Sequence, residues 1–289
     1  GDNIPAVQDG IVIENGTDSN QFVWVPVGTI NNKSGDSKGA TSTITLGRYS
    51  DFAMTNGAVA SGQPVQVASV ENCTQQITIN DNYQELSIER TTSDVTSKEN
   101  TTARNLAEFI STTLTNGGYY IARFEASGTT LKITSKYNQA VLTNITQQNA
   151  AKVAREMYGE VKENNELIYA SDLVNSYAWD TAIIFIQTYG TGEDASSYAS
   201  KNKSTSFAKT GINTDKYCNI CDMSGNATEW TTEYSSYNAG GDIELCVERG
   251  GHYYANVNRA NYYTSYRMHK DPTTSSNRAD GLRSLLYVK

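Results

Sequence analysis

Helical periodicity is confined to the middle of this chain and vanishes after Asp215, and that break narrows the folds open to it. Over 102–115 the apolar residues Ala103, Leu106, Ala107, Ile110 and Leu114 recur at helical spacing, with Thr102 as N-cap and Gly117-Gly118 as the stop. A second helix is expected over 147–158, with Ala150, Val153, Ala154 and Met157 inward. A third is expected from Asp172 to Gln187, capped by Ser171, with Leu173, Tyr177, Trp179, Ala182, Ile184 and Phe185 on a wide apolar face. Beyond Asp215 only short strand-like pieces and long loops remain. Helices followed by a loop-dominated, weakly β half predict an α+β fold.

The strand signals lie on either side of these helices. Gln21-Phe22-Val23-Trp24-Val25-Pro26-Val27 alternates as a strand does, with Pro26 pushing it toward a sheet edge. Residues 31–45 read as a loop, overlapping a strand over Thr43–Tyr49. Residues 50–100 are polar and read as an irregular insertion with short β pieces such as Gln76–Ile79. Tyr119–Glu125 is a strand, and Thr130–Thr134 is placed after it in a hairpin. Residues 190–215 read as a mobile surface loop. With no internal repeat and no long Pro/Gly linker, residues 1–289 are taken as a single domain.

Composition excludes several function classes. A net charge of −8 disfavours nucleic acid as a partner, because phosphate binding needs a basic surface. No apolar stretch approaches the roughly 20 residues of a membrane span, so no direct membrane span is expected of these residues. The chain opens Gly1-Asp2-Asn3-Ile4-Pro5 without a leader pattern, and the opening Gly in place of Met suggests a trimmed start, from which a leader or anchor could have been removed. Only 19% of residues are charged, and Ser, Thr, Asn, Gly and Gln abound, a balance that suits an extracellular β- and loop-rich protein. Of the four cysteines, Cys218 and Cys221 form a CxxC, but no second ligand pair accompanies them and a metal reading fails. Cys218 and Cys246 flank one unit and are open to pairing, Cys221 packs as a small apolar residue, and the connectivity stays open.

The strongest motifs are in the last seventy residues. Asn219-Ile220-Cys221-Asp222-Met223-Ser224-Gly225-Asn226-Ala227-Thr228-Glu229-Trp230, then Val247-Glu248-Arg249-Gly250-Gly251, then Gly281-Leu282-Arg283 occur in series. Phe22–Pro26, Gly118–Glu125 and Ser171–Asp180 precede them as weaker matches. Together these pieces resemble the sulfatase-modifying factor family, which includes the formylglycine-generating enzyme. That resemblance implies a C-type-lectin fold, elaborated as in that family. It also implies that the loop holding Asn226 and Glu229 is a candidate for a structural calcium ion, since both offer hard oxygen ligands. No other cofactor is expected.

The same resemblance bears on catalysis. The formylglycine-generating enzyme carries a reactive cysteine just after its GFR motif; here that place is Ser284, and no cysteine follows Cys246. A hydroxyl does not replace a thiolate as copper ligand or redox partner. The only histidines, His252 and His269, have no carboxylate at facial-triad spacing, and no GxSxG marks a nucleophile. The chain is therefore expected not to be an enzyme, with a metal-dependent oxidoreductase of the family as one alternative and a structural pilus or tail tip component as another.

Residues 249–284 read instead as a binding region. Eight of the 19 tyrosines lie between Tyr217 and Tyr266. Tyr offers stiff, amphipathic contact area, and Asn and Ser offer adaptable hydrogen bonds. From Arg249 to Ser284 there is no Glu, Gln or Trp, and Met and Lys occur once each, as Met268 and Lys270. Mutation of AAY codons at their adenines yields such a set. The segment thus resembles the variable region of diversity-generating-retroelement proteins, bacterial or phage-borne. On that resemblance His252, Tyr253, Tyr254, Asn256, Asn258, Asn261, Tyr262, Tyr263, Ser265 and Tyr266 are the ligand-binding positions. Gly250, Gly251, Arg267, Gly281 and Arg283 would be scaffold. The expected setting is the cell surface, the extracellular space or a phage particle, and the expected partner is a protein or glycan ligand on another cell or host, bound in adhesion.

Overall fold

Two sheets, set by the earliest and latest strands of the chain, carry the molecule, as seen in a computed structural model. The structure describes residues 7–31, 41–49, 64–66, 77–79, 83–85, 102–190, 206–213, 215–235, 245–253, 267–272 and 279–288. The first sheet is antiparallel, in the order Val12–Glu14, Gln21–Pro26, Gly118–Ala122, Ser284–Val288, Glu166–Leu173, Glu160–Glu163. The closing strand thus sits in the middle and ties the two halves of the chain together. Gln21–Pro26 is an interior strand, not an edge. Pro26 is tolerated because Trp24 N donates toward Ile11 O, so position 26 turns the same way, beyond where Val12–Glu14 covers the strand.

The second sheet runs Met268–Lys270, Leu245–Arg249, Thr228–Ser235, Tyr83–Glu85, Ile77–Ile79, with Asp280–Leu282 joined in parallel to Thr228–Trp230. Part of the expected 50–100 insertion therefore belongs to the framework, through Tyr83–Glu85. Thr43–Tyr49 is two strands: Thr41–Ile44 pairs with Gly28–Asn31, and Gly47–Tyr49 with Pro64–Gln66. Lys132–Thr134 forms its hairpin with Ser127–Thr129. Of the expected loop 190–215, residues 191–205 and 214 lie outside the described residues.

Among the described residues three α-helices complete the α+β fold. The first (α1, Leu106–Asn116) starts later than Thr102, and Asn105 caps it by accepting from Glu108 N at 3.0 Å. Residues 102–104 are held elsewhere: Arg104 N donates to Asp172 Oδ2 at 2.6 Å, and Thr102 O accepts from Arg155. Gly117 ends α1 in the left-handed region, as its sequence position requires. The second (α2, Gln147–Glu156) buries Ala150, Val153 and Ala154, and Met157 packs against their cluster. The third (α3, Ser176–Tyr189) begins after the expected Asp172, because Ser171–Leu173 are paired with Ser284–Leu286 in the sheet. Asn175 is its cap.

The first sheet packs on α1 and α3 through Val23, Val25, Phe109, Tyr119, Tyr177, Phe185 and Leu285. A second cluster joins α2 to the second sheet through Ala150, Val153, Trp230, Cys246 and Leu282. Among the described residues no helix is long and apolar enough to cross a membrane.

Candidate ligand-binding surface

The segment 250–266 leaves the second sheet at Arg249 and returns to it at Arg267, and both arginines are fully buried. They converge on one carboxylate. Arg249 Nη2 donates to Asp180 Oδ1 at 2.5 Å, and Arg267 Nη2 donates to Asp180 Oδ2 at 2.6 Å. Glu233 lies on the other side, accepting from Arg267 Nε at 2.9 Å on each oxygen and from Arg48. Arg249 also lies against the Trp179 ring, 5.8 Å from its centroid. Burial alone would raise the Glu233 carboxyl, but Arg267, Arg48 and Arg249 together hold it below the usual carboxylate range. Burial lowers Arg249 to about 10, despite Asp180. The ends of the segment are thus pinned to α3 and to the central strand of the second sheet.

Glycine makes the turn out of Arg249 possible. Gly250 has φ +88°, and a Cβ there would come within 3.3 Å of both Met223 O and the Trp179 ring. Gly250 O accepts from Gly225 N at 2.7 Å, which docks the turn on the 222–226 loop. The same loop meets the next residues, since Tyr253 N donates to Asn226 O at 2.8 Å.

Asn226 and Glu229 are interior bracing groups. Asn226 Oδ1 accepts from Ala208 N at 2.9 Å, and its Nδ2 donates to Glu125 Oε2 at 2.5 Å. Glu229 takes Arg283 Nε on both oxygens, at 3.0 and 3.1 Å, and Arg283 Nη2 on Oε1 at 2.7 Å. The remaining Arg283 hydrogen bonds reach Ala122 O and Cys221 O, each at 2.9 Å, so one side chain joins both sheets. This arrangement does not fit calcium: the oxygens already accept from nitrogen donors, and a guanidinium occupies the face a cation would need. Burial pushes Glu229 up to about 7 against the pull of Arg283, and burial, then Asp222 and Glu229, raises Glu125 as well. Among the described residues no group of three or more His, Cys, Asp or Glu is arranged to hold a metal ion.

Of the ten expected contact positions, the structure places His252 and Tyr253, both half-buried and adjoining the 222–226 loop. The Tyr253 ring stands edge-on to Phe207 with centroids 4.4 Å apart, and His252 lies 6.1 Å from Tyr253. Burial and Lys270 lower the His252 pKa. Tyr254, Asn256, Asn258, Asn261, Tyr262, Tyr263, Ser265 and Tyr266 lie outside the described residues. The expected scaffold residues Gly250, Gly251, Arg267, Gly281 and Arg283 are all buried.

The pairing left open between Cys218 and Cys246 is not made. Cys218 and Cys246 are free and belong to different hydrophobic clusters, so they do not bridge. Cys221 is free and buried, as a small apolar residue would be. Burial pushes the Cys218 thiol up to about 12 and Cys221 to about 11, where neither is a ready thiolate. Ser284 is buried in the closing strand, paired with Leu173.

Three residues that sequence reasoning passed over now stand out: Asp180, Glu233 and Glu125. A signal existed for Asp180, the single charged residue in the fourteen of α3. Glu233 shares its strand with Glu229, and Glu125 closes a motif strand, but nothing in either context named a partner.

Two sheets and three helices, laced by buried arginines at the RGG and GLR motifs, describe an α+β domain of the C-type-lectin type. The chain belongs to the family of the sulfatase-modifying factor enzyme 1-like domain, whose profile matches residues 10–286. No curated protein matches it. Similar solved structures include CarF, at 15% identity over 60% of this chain and 87% of that one, with a TM-score of 0.37. They also include Treponema denticola variable protein 1, at 15% identity over 97% of this chain and 99% of that one, with a TM-score of 0.34.

Proposed function

We propose that the chain is a non-catalytic binding protein presenting a diversified contact surface over 252–266, of the kind made by diversity-generating retroelements. It acts at a cell surface, outside the cell or on a phage particle, and its partner is a protein or glycan on another cell or host. The observation that carries this reading is the division at Arg249 and Arg267. Arg249 and Arg267 are buried and bonded to Asp180, and Gly250 and Gly251 are buried with them; His252 and Tyr253, next inside the interval, are partly open to solvent. Such a division lets contact residues change while the frame keeps its packing. The donor sets at Ser284 and at the three described cysteines favour binding over the redox chemistry of some family members.

Two measurements test this. Close genomic copies should differ at AAY codons of the ten positions named and agree at Arg249, Gly250, Gly251, Arg267, Gly281 and Arg283. Differences spread evenly along the chain would remove the retroelement reading. Wild type and a variant with Ala at Tyr254, Tyr262, Tyr263 and Tyr266 should then be compared on arrays of glycans and cell-surface proteins. The variant should lose capture and keep its melting midpoint; equal capture, or stoichiometric iron or copper in the purified chain, would overturn the binding reading.

A further inference from the structure

On the second sheet, three side chains of opposite chemistry meet in an apolar setting. Lys270 forms an ion pair with Asp280, and its Nζ lies 3.9 Å from Glu248 Oε1. The Lys270 side chain is 12% exposed, Asp280 1% and Glu248 0%. Asp280 and the Thr228 hydroxyl also lie against the Glu248 carboxyl.

The sheet register explains the meeting. Thr228 faces Asp280, Trp230 faces Glu248, Glu248 faces Met268, and Cys246 faces Lys270 across neighbouring strands. Residues directly opposite or two apart share a face. Asp280, Trp230, Glu248, Cys246 and Lys270 therefore lie on one side, the side packed on α2. To reach Asp280 the Lys270 amine passes over Trp230, 5.3 Å from the ring centroid. Trp230 and Cys246 belong to the cluster of Ala150, Val153 and Leu282.

We propose that Lys270 and Asp280 condense into an intramolecular amide, with Glu248 as the proton-transfer group. A buried ammonium and a buried carboxylate each carry a desolvation cost, which the neutral amine and carboxyl avoid. One proton moved from Lys270 to Asp280 converts the first pair into the second. Burial, and next the charge of Asp280, raises Glu248 well above the usual carboxylate range, which favours its protonated form, and a carboxyl group can both donate and accept a proton. Burial raises Asp280 as well. The amine lone pair attacks Asp280 Cγ, forming the N–C bond. Glu248 takes a proton from the attacking nitrogen and returns one to a carboxyl oxygen, which leaves as water. Ammonium and carboxylate thus become one amide and one water, with no other reactant. The held geometry replaces a bimolecular encounter, and the product removes two charges from the interior. The bond would close the loop 271–279 covalently, independently of what the surface binds.

The test is the intact mass of the full, folded chain. It should be lower than the sum of its residues by one water, and a tryptic map should contain 268–278 joined to 279–283. Lys270→Arg keeps the charge but cannot form this amide, and its mass should return to the full sum. Glu248→Gln should leave most molecules without the bond; full cross-linking there would remove Glu248 from the step. A wild-type mass equal to the full sum overturns the proposal. So does a water loss that persists in Lys270→Arg, which would mark a succinimide at Asp280-Gly281 instead.

Discussion

Asp180→Asn is the sharpest perturbation of the frame. Each Asp180 oxygen serves one arginine, Oδ1 for Arg249 at 2.5 Å and Oδ2 for Arg267 at 2.6 Å. Asparagine keeps the shape but supplies one oxygen and one NH2, so an amide donor must face a guanidinium donor whichever way it is flipped. The charge balance worsens too. Arg48, Arg249 and Arg267 share the carboxylates of Asp180 and Glu233, and asparagine removes one of those two negative charges. Removing one member of a buried ion pair costs about 3–5 kcal/mol, because the partner stays behind without compensation. For a domain of this size each kcal/mol lowers the melting midpoint by roughly 2–4 °C, so a loss near 10 °C is expected. Scanning calorimetry at neutral pH, with wild type alongside, measures it. Hydrogen exchange at Gly250 and Arg267 should rise with the same substitution, since both take-off points of the surface rest on Asp180. A midpoint within about 2 °C of wild type would refute the claim that Asp180 holds the two ends, since so small a shift corresponds to roughly 1 kcal/mol or less.

Two further outcomes follow from the same geometry. Gly250→Ala puts a Cβ at φ +88° beside Met223 O and Trp179, and should cost about 1–3 kcal/mol in urea denaturation; a change under about 0.5 kcal/mol would mean the turn relaxes freely. Cys218 and Cys221, buried with thiols at about 12 and about 11, should react with a thiol reagent at pH 8 only after denaturant is added. Rapid labelling of either in the folded chain would contradict their burial.

The helices show where local reading succeeds and where it stops. Thr102 and Ser171 both look like caps, yet the helices begin at Leu106 and Ser176 with Asn105 and Asn175 as caps. In each case a competing long-range bond drew the residues before the cap away: Asp172 holds Arg104, and the closing strand holds Ser171–Leu173. Gly117 keeps its turn where the sequence places it, and the long-range bond it makes, accepting from Val27 N at 2.8 Å, is compatible with that turn. The proposed binding surface was legible as composition, in the tyrosines and the missing Glu, Gln and Trp, and the glycines and arginines that flank it were legible as motifs. The acids that hold those arginines were not.

By itself the sequence determined what depends on near neighbours. The α+β texture, the glycine turn after Arg249, the loss of the family's thiol at Ser284 and the family itself all follow from residues a few positions apart. Only the tertiary structure decided which charges are joined. Asp180 meets Arg249 and Arg267 from 69 and 87 residues away, and Glu229 turns to Arg283 rather than to a cation. A buried charge must find a counter-charge wherever the fold brings one, and no local pattern encodes that choice. The frame around 250–266 is therefore an outcome of packing, while the identity of the residues inside it is left to the sequence alone.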